Sequence, residues 1–212
     1  MASIDRRQRE KAQRRQQIQD AASSLILENG YYSTKIEDIA KKIDLTPGAL
    51  YRHFKNKDEL FASLLIDALE NLSKKTQVIS NDSNLNTEEK IIHYKNSLYE
   101  TYQTHPLMVR CLIHIQFERV LSNIQTETAL QLADVNRKII DCMQVTFKEG
   151  ISNGTFIKEN PLVYLDMFWG LFTGLILWEE AKKDLNPKKD FLKNTLDKSF
   201  SIFLSGIKTE ST

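Results

Sequence analysis

Apolar residues recur along this chain at intervals of three and four, the period of helices with one buried face. Residues 4–29 open with a charged half, supported by spacings such as Glu10 to Arg14. The second half carries Ile18, Ala21, Ala22, Leu25 and Ile26 on one stripe. Gly30 stands where a helix end favours a left-handed residue. Thr34 and Glu37 have capping-box spacing and open a second helix over 35–43, with core positions Ile36, Ile39, Ala40 and Ile43. Thr46 as N-cap and Pro47 in the first turn start a third, over 47–54. Asn56 with Glu59 opens a fourth, apolar at Leu60, Leu64, Ala68 and Leu72. The stretch SNDSNLNTEE from Ser80 has the turn chemistry of a loop. Further helical patterns cover 88–104, 106–121, 126–152, 161–183 and 187–207. Asn160-Pro161 and Asn186-Pro187 each suit a cap and a first-turn proline. No alternating strand pattern of useful length is visible. The expectation is an all-α chain: an N-terminal three-helix, helix-turn-helix domain over 1–58 and a helical domain over 59–212, linked by the fourth helix.

The third helix has an unusual beginning. LTPGALYRHFKNKDEL, from Leu45 to Leu60, places small residues first and aromatic and basic ones after them. At about 100° per residue, Leu50 and Phe54 share a buried side. Gly48, Ala49, Arg52 and His53 fall on the opposite arc, with Tyr51 at its edge. Small residues at a helix start allow close approach to a surface, and Tyr51, Arg52 and His53 then supply hydrogen bonds. That is the geometry of a recognition helix entering a DNA major groove. The connection Asp44-Leu45-Thr46 has the length of a helix-turn-helix turn. Lys57 follows Asn56 at a helix start, where the macrodipole disfavours a cation, and Lys35 follows Thr34 in the same way. Paired with free backbone N–H groups, each lysine makes an anion site suited to a DNA phosphate.

Charge distribution agrees with that reading. Up to Lys57, twelve Lys/Arg oppose seven Asp/Glu, a net +5; the remainder has 17 against 21, a net −4. A basic head on an acidic body suits an anionic partner for the head. The composition of the 212 residues, 27% charged and 41% hydrophobic, is that of a soluble globular protein. The longest strongly apolar stretch, 167–178, is shorter than the roughly 18 uncharged residues a membrane span needs, and no secretory signal is visible. Cys111 and Cys142 are lone and far apart, which fits a reducing cytoplasm.

TKIEDIAKKIDLTPGALYRHFKNKDELFASLL resembles the DNA-binding signature of the TetR family of bacterial transcriptional regulators, over about residues 18–65. The resemblance implies a homodimeric repressor of double-stranded operator DNA, released by a small ligand in the C-terminal domain. By position it implies backbone contacts from Thr34 and Lys35, recognition-helix contacts from Pro47, Gly48, Ala49, Tyr51 and His53, and a phosphate contact from Lys57. Thr46 and Arg52 complete the candidate DNA-facing set. Asp44 departs from the family's usual glycine in the turn, but aspartate tolerates a left-handed backbone better than most residues.

In the C-terminal part, Gly170 and Gly174 would let another helix approach closely. The last helix offers a matching stripe through Phe191, Leu192, Thr195, Leu196, Ser199 and Phe203. A four-helix dimer interface with Gly170, Gly174 and Phe203 is one use of these stripes, and an intramolecular core is the other. Tyr94, Leu98 and Tyr102 share a helix face; with His114, Phe117, Met143, Phe147 and Trp169 they are candidates to line a ligand pocket, or plain core. With no fixed cationic counterpart, such a pocket suits a hydrophobic or amphipathic effector. Cys111, His114 and Glu118 share a helix face, but three ligands on one helix without a partner cluster point to structural or surface roles, so neither metal nor cofactor is expected. No nucleophile motif, glycine-rich phosphate loop or strand scaffold supports an enzyme. The alternative is a helical small-molecule-binding or interaction protein with no operator-specific role, which predicts damage to the exposed arc of the third helix. That arc is intact.

Overall fold

In the computed structural model, which describes residues 2–117, 120–183 and 191–209, the helical periodicity becomes α1 (Ala2–Asn29), α2 (Ile36–Lys42), α3 (Pro47–Tyr51), α4 (Lys57–Asn81), α5 (Thr87–Thr104), α6 (Met108–Phe117), α7 (Thr126–Ser152), α8 (Pro161–Lys183) and α9 (Leu192–Ile207). A 3-10 turn, Val120–Ser122, stands between α6 and α7. Among the described residues no strand forms; one isolated bridge pairs Phe156 with Lys208. The expected first residues of the last helix, 187–190, lie outside the described residues.

The chain divides into two compact units: Met1–Asp67 with Arg110–Leu132, and Ala68–Val109 with Ala133–Thr212. The first is built on Ile18, Ala22, Ile39, Ala40, Leu50, Phe54, Leu60 and Phe61, all buried. Gly30 ends α1 at φ +81°, its N–H donating to Ile26 O at 2.9 Å. Asp44 takes φ +54° in the turn between α2 and α3, the left-handed conformation expected of it. The capping box at Thr34 does not form. Lys35 is the N-cap of α2 and makes no side-chain cap bond, because the Thr34 hydroxyl is buried and donates to Gly30 O (2.8 Å) and Leu25 O (3.2 Å). Thr34 ties the loop back onto the end of α1 instead of capping α2.

The first unit is larger than the expected 1–58 because side chains at the start of α4 hold residues 123–128. Asn56 Nδ2 donates to Asn123 O (2.8 Å), and Asn123 Nδ2 donates to Asp58 Oδ2 (2.9 Å). Asn56 Oδ1 caps α4 by accepting from Glu59 N–H (2.8 Å). The buried Glu59 carboxylate then accepts from Gln125 N–H (2.9 Å) and from the Thr128 hydroxyl. It satisfies donors at the start of α7, where the helix dipole favours an anion.

The second unit packs α5, α7, α8 and α9 around Tyr94, Met143, Phe147, Phe168, Phe172 and Phe200, none of them more than 2% exposed. The Phe156 ring lies where a Cβ on Gly150 would sit, 2.1 Å from it, so only glycine fits there. Two lysines are drawn inside by partners: Lys90 Nζ donates to Ser80 O at 2.9 Å, and Lys95 pairs with Asp197. By length and composition α8 can cross a membrane, although Asp166 and Glu179 interrupt its apolar run. Its Tyr164, Leu165, Phe168, Phe172 and Ile176 are buried in this unit, while Val163, Met167, Gly170, Gly174, Leu177 and Trp178 are exposed.

Candidate nucleic-acid interface

The start of α3 is set locally. The Thr46 hydroxyl accepts from Ala49 N–H at 3.2 Å, and Pro47 fills the first turn. Leu50 and Phe54 are fully buried and anchor the helix by one side. The helix closes at Tyr51, short of the expected residue 54. The N–H groups of His53 (2.8 Å) and Phe54 (3.2 Å) both return to Leu50 O, a tight turn that still delivers Phe54 to the core.

The outer arc is open. Thr46, Gly48, Tyr51 and Arg52 are exposed, and Pro47, Ala49 and His53 are half-buried. A Cβ added to Gly48 meets nothing within 4 Å. Thr34, assigned a contact by resemblance, keeps its hydroxyl buried; Lys35 beside it is exposed.

His53 is held from behind. Its carbonyl accepts from Arg15 Nη1 at 2.5 Å, and the Arg15 guanidinium lies 4.1 Å from the Phe54 ring centroid. Burial, then the charges of Arg15, Lys11, Arg14 and Arg52, lower the imidazole pKa below its ordinary 6.5. Its Nδ1 is buried without a partner. Arg15 escaped the sequence reading; its place three residues before Ile18, on the stripe that enters the core, was the available signal.

Lys57 begins α4 as expected. Its ammonium donates to the Tyr31 carbonyl and lies 3.9 Å from the Tyr31 ring centroid. Burial lowers its pKa, and Asp58 opposes that shift. Tyr31 in turn donates its hydroxyl to Asp58 Oδ1; burial and this carboxylate push the phenol pKa up. His114 stacks 4.1 Å from Tyr31 and 5.1 Å from Phe61, with Nε2 3.8 Å from Asp58 Oδ1 and lacking a hydrogen-bond partner. It therefore belongs to the first unit and is not grouped with Tyr94.

The other candidate pocket residues are divided. Tyr94, Leu98, Met143 and Phe147 are core, with Tyr94 hydroxyl bonded to Thr146 (2.9 Å). Tyr102 is buried and donates to Glu180 (3.1 Å). Trp169 is half-buried, its ring N–H enclosed and unpartnered. The Phe117 side chain and Glu118 lie outside the described residues; Cys111 is buried, which raises its thiol pKa. Gly170 and Gly174 are exposed, with nothing within 4 Å of an added Cβ. Phe203 is corrected: it is buried beside Phe200 and Phe147 (centroids 6.1 and 6.5 Å) and sits inside the chain's own core. The exposed stripe of α9 runs instead through Ile202 and Gly206, flanked by the half-buried Thr195 and Ser199.

Comparison with known proteins agrees with this geometry. Residues 18–64 match the family described as bacterial regulatory proteins, tetR family. The HTH-type transcriptional regulator QacR of Staphylococcus aureus is 28% identical over 190 residues, covering 90% of this chain and 96% of that protein. The ketosteroid transcriptional regulator KstR2 of Mycobacterium tuberculosis superposes with a TM-score of 0.72 at 22% identity, covering 93% of this chain and 96% of that one. FadR of Bacillus subtilis, solved in complex with stearoyl-CoA, gives 0.68 at 22% identity over 91% and 98%. The matched residues include the whole of α2 and α3. Residues 18–64 thus carry the DNA-binding region of the tetR family, and the chain is similar along 90% of its length to an HTH-type transcriptional regulator.

Proposed function

We propose that this regulator is a cytoplasmic, homodimeric repressor that reads a palindromic operator with α3 and releases it when a hydrophobic or amphipathic small molecule binds the second unit. The observation that carries the reading is the arc of α3: Gly48 open to solvent beside exposed Tyr51 and Arg52, over fully buried Leu50 and Phe54. Gly48 and Ala49 let the helix start approach the groove floor, with Thr46 and Pro47 at its lip. Tyr51, Arg52 and His53 make the polar contacts, and Lys35 and Lys57 take phosphates on either side. For Lys57 this means exchanging the Tyr31 carbonyl for a phosphate oxygen. Dimerisation through the exposed faces of α8 and α9 supplies two reading heads for two half-sites.

An apolar effector is supported by the aromatic second unit and by two structural relatives, one named for ketosteroids and one holding stearoyl-CoA. Trp169, with its unpartnered N–H, is the candidate pocket residue best suited to donate to an effector's polar atom. α4 runs unbroken from the clamp at Asn56 and Glu59 to Asn81, and in this reading it carries the signal. An effector that favours the arrangement unable to bind DNA releases the operator, and the coupling is reciprocal. The test is a titration of stearoyl-CoA and of a steroid, with and without DNA from upstream of the protein's own gene. That DNA should weaken effector binding by the factor by which the effector weakens DNA binding. Tight binding of equal affinity in both conditions would rule the compound out, and failure of both apolar classes would count against apolar sensing.

A further inference from the structure

The first half of α1 carries charge that the helix-turn-helix does not use. From residue 6 to residue 15 it holds Arg6, Arg7, Arg9, Lys11, Arg14 and Arg15 against one acid, Glu10, and Ala12 is its only apolar residue. Arg6 pairs with Glu10 at 2.8 Å. Arg7, Lys11 and Arg14 are exposed and follow one another at i, i+4 and i+7, so they lie on one face. Ile18 and Ala22 continue that face into the core. Like charges at these spacings destabilise a helix that is merely solvated, so the stripe asks for an anionic partner.

Two contacts fix where the stripe lies. Arg14 lines a shallow cleft with Lys42, Ile43 and Asp44, the residues leading into α3. Arg15 bonds the His53 carbonyl just past the other end of α3 and stacks on Phe54. α1 therefore passes the recognition helix at residues 14–15. Residues 2–13 continue beyond that point for about 18 Å at 1.5 Å per residue. The His53 imidazole feels Lys11 and Arg14 as well as Arg15, which puts them near the end of α3.

We infer that the projecting half of α1 is a second DNA contact, in which Arg7, Lys11 and Arg14 bind backbone phosphates flanking the site occupied by α3. The inference rests on the proposed role of α3 in reading DNA. A helix of five residues makes few contacts by itself, and phosphate contacts beside it set register and orientation without reading sequence.

The test uses the full-length triple variant R7Q/K11Q/R14Q, which leaves Arg15 and its bond to His53 in place. Its affinity for the upstream DNA and for a random-sequence duplex is measured by fluorescence anisotropy across a salt series. Both affinities should fall about tenfold or more at moderate salt. The slope of log affinity against log salt should become shallower by roughly 0.9 for each phosphate that the variant no longer neutralises, up to about three phosphates. A control, K148Q/K158Q/K193Q, removes as many exposed charges from the second unit and should change neither quantity to that extent. Circular dichroism should show both variants fully helical. An unchanged affinity and slope in the first variant, with the unaltered protein binding normally, overturns the stripe alone. An equal loss in the control overturns it too, assigning the effect to net charge. If the unaltered protein binds neither duplex, the DNA-reading role of α3 falls along with it.

Discussion

At the scale of single residues, backbone conformation and local charge govern what each side chain does. Asp44 at φ +54° occupies a conformation that a residue with an ordinary Cβ holds at a penalty of about 1–2 kcal/mol. Asp44→Ala should therefore lower stability by about 1 kcal/mol in urea unfolding, while Asp44→Gly should match or exceed the natural chain. The reverse order would show that the aspartate side chain, not the backbone, sets the turn. His53 makes a pH prediction. Its folded pKa lies below the ordinary 6.5 because burial and the bases of α1 disfavour the imidazolium. Below pH 6.5 the unfolded chain thus takes up the proton more readily, and the His53 contribution to stability is lost as pH falls through the lowered folded value. His53→Gln should flatten the decline of melting temperature between about pH 7 and 5; an identical decline in the variant would remove His53 from the account.

At the scale of elements, helix periodicity was legible because each helix buries one face. α7 and α8 begin and end where the pattern placed them, and Leu50 and Phe54 are buried as the angular spacing required. What the pattern missed are the partners that side chains find once the helices pack, some near in sequence and some far. Thr34 and Glu37 have the right spacing for a box, yet the Thr34 hydroxyl finds Gly30 and Leu25 carbonyls nearer at hand. Phe203 and Ile202 are neighbours on one apolar helix, and only packing against Phe200 and Phe147 decides which of them turns inward. His114 joins Tyr31 and Phe61 across gaps that no local pattern reports. Glu59 is of the same kind, a buried carboxylate tying α4 to the start of α7 across 66 and 69 positions. Glu59→Ala leaves the Gln125 N–H and the Thr128 hydroxyl without their acceptor and should lower stability by about 1–3 kcal/mol. Glu59→Gln, which retains a carbonyl oxygen, should lose less. Urea unfolding of both variants measures it, and an unperturbed Glu59→Ala would mean that the clamp is idle.

At the scale of the whole molecule, the proposed function requires two copies and one surface for DNA. The exposed stripe of α8, through Val163, Met167, Gly170, Gly174, Leu177 and Trp178, is apolar, with two glycines at its middle where a second helix could come close. Because no described neighbour lies within 4 Å of a Cβ at Gly174, Gly174→Leu should spare the single chain's packing and overfill the proposed contact between copies. Sedimentation should show monomers or a weakened dimer; a dimer of normal stability would move the interface elsewhere. DNA reading itself is tested most directly at Gly48, which is exposed and opens on empty space. Gly48→Glu places bulk and negative charge at the proposed point of closest approach to the groove and disturbs no core contact. The decisive measurement is an anisotropy titration of the upstream duplex and a random duplex with the natural protein and with Gly48→Glu. The account predicts that the natural protein prefers the upstream duplex, binding it as a dimer, and that the variant, equally helical and equally dimeric, has lost that preference. A folded Gly48→Glu dimer that still selects the upstream duplex with undiminished affinity would contradict the assignment of α3 as the reading helix.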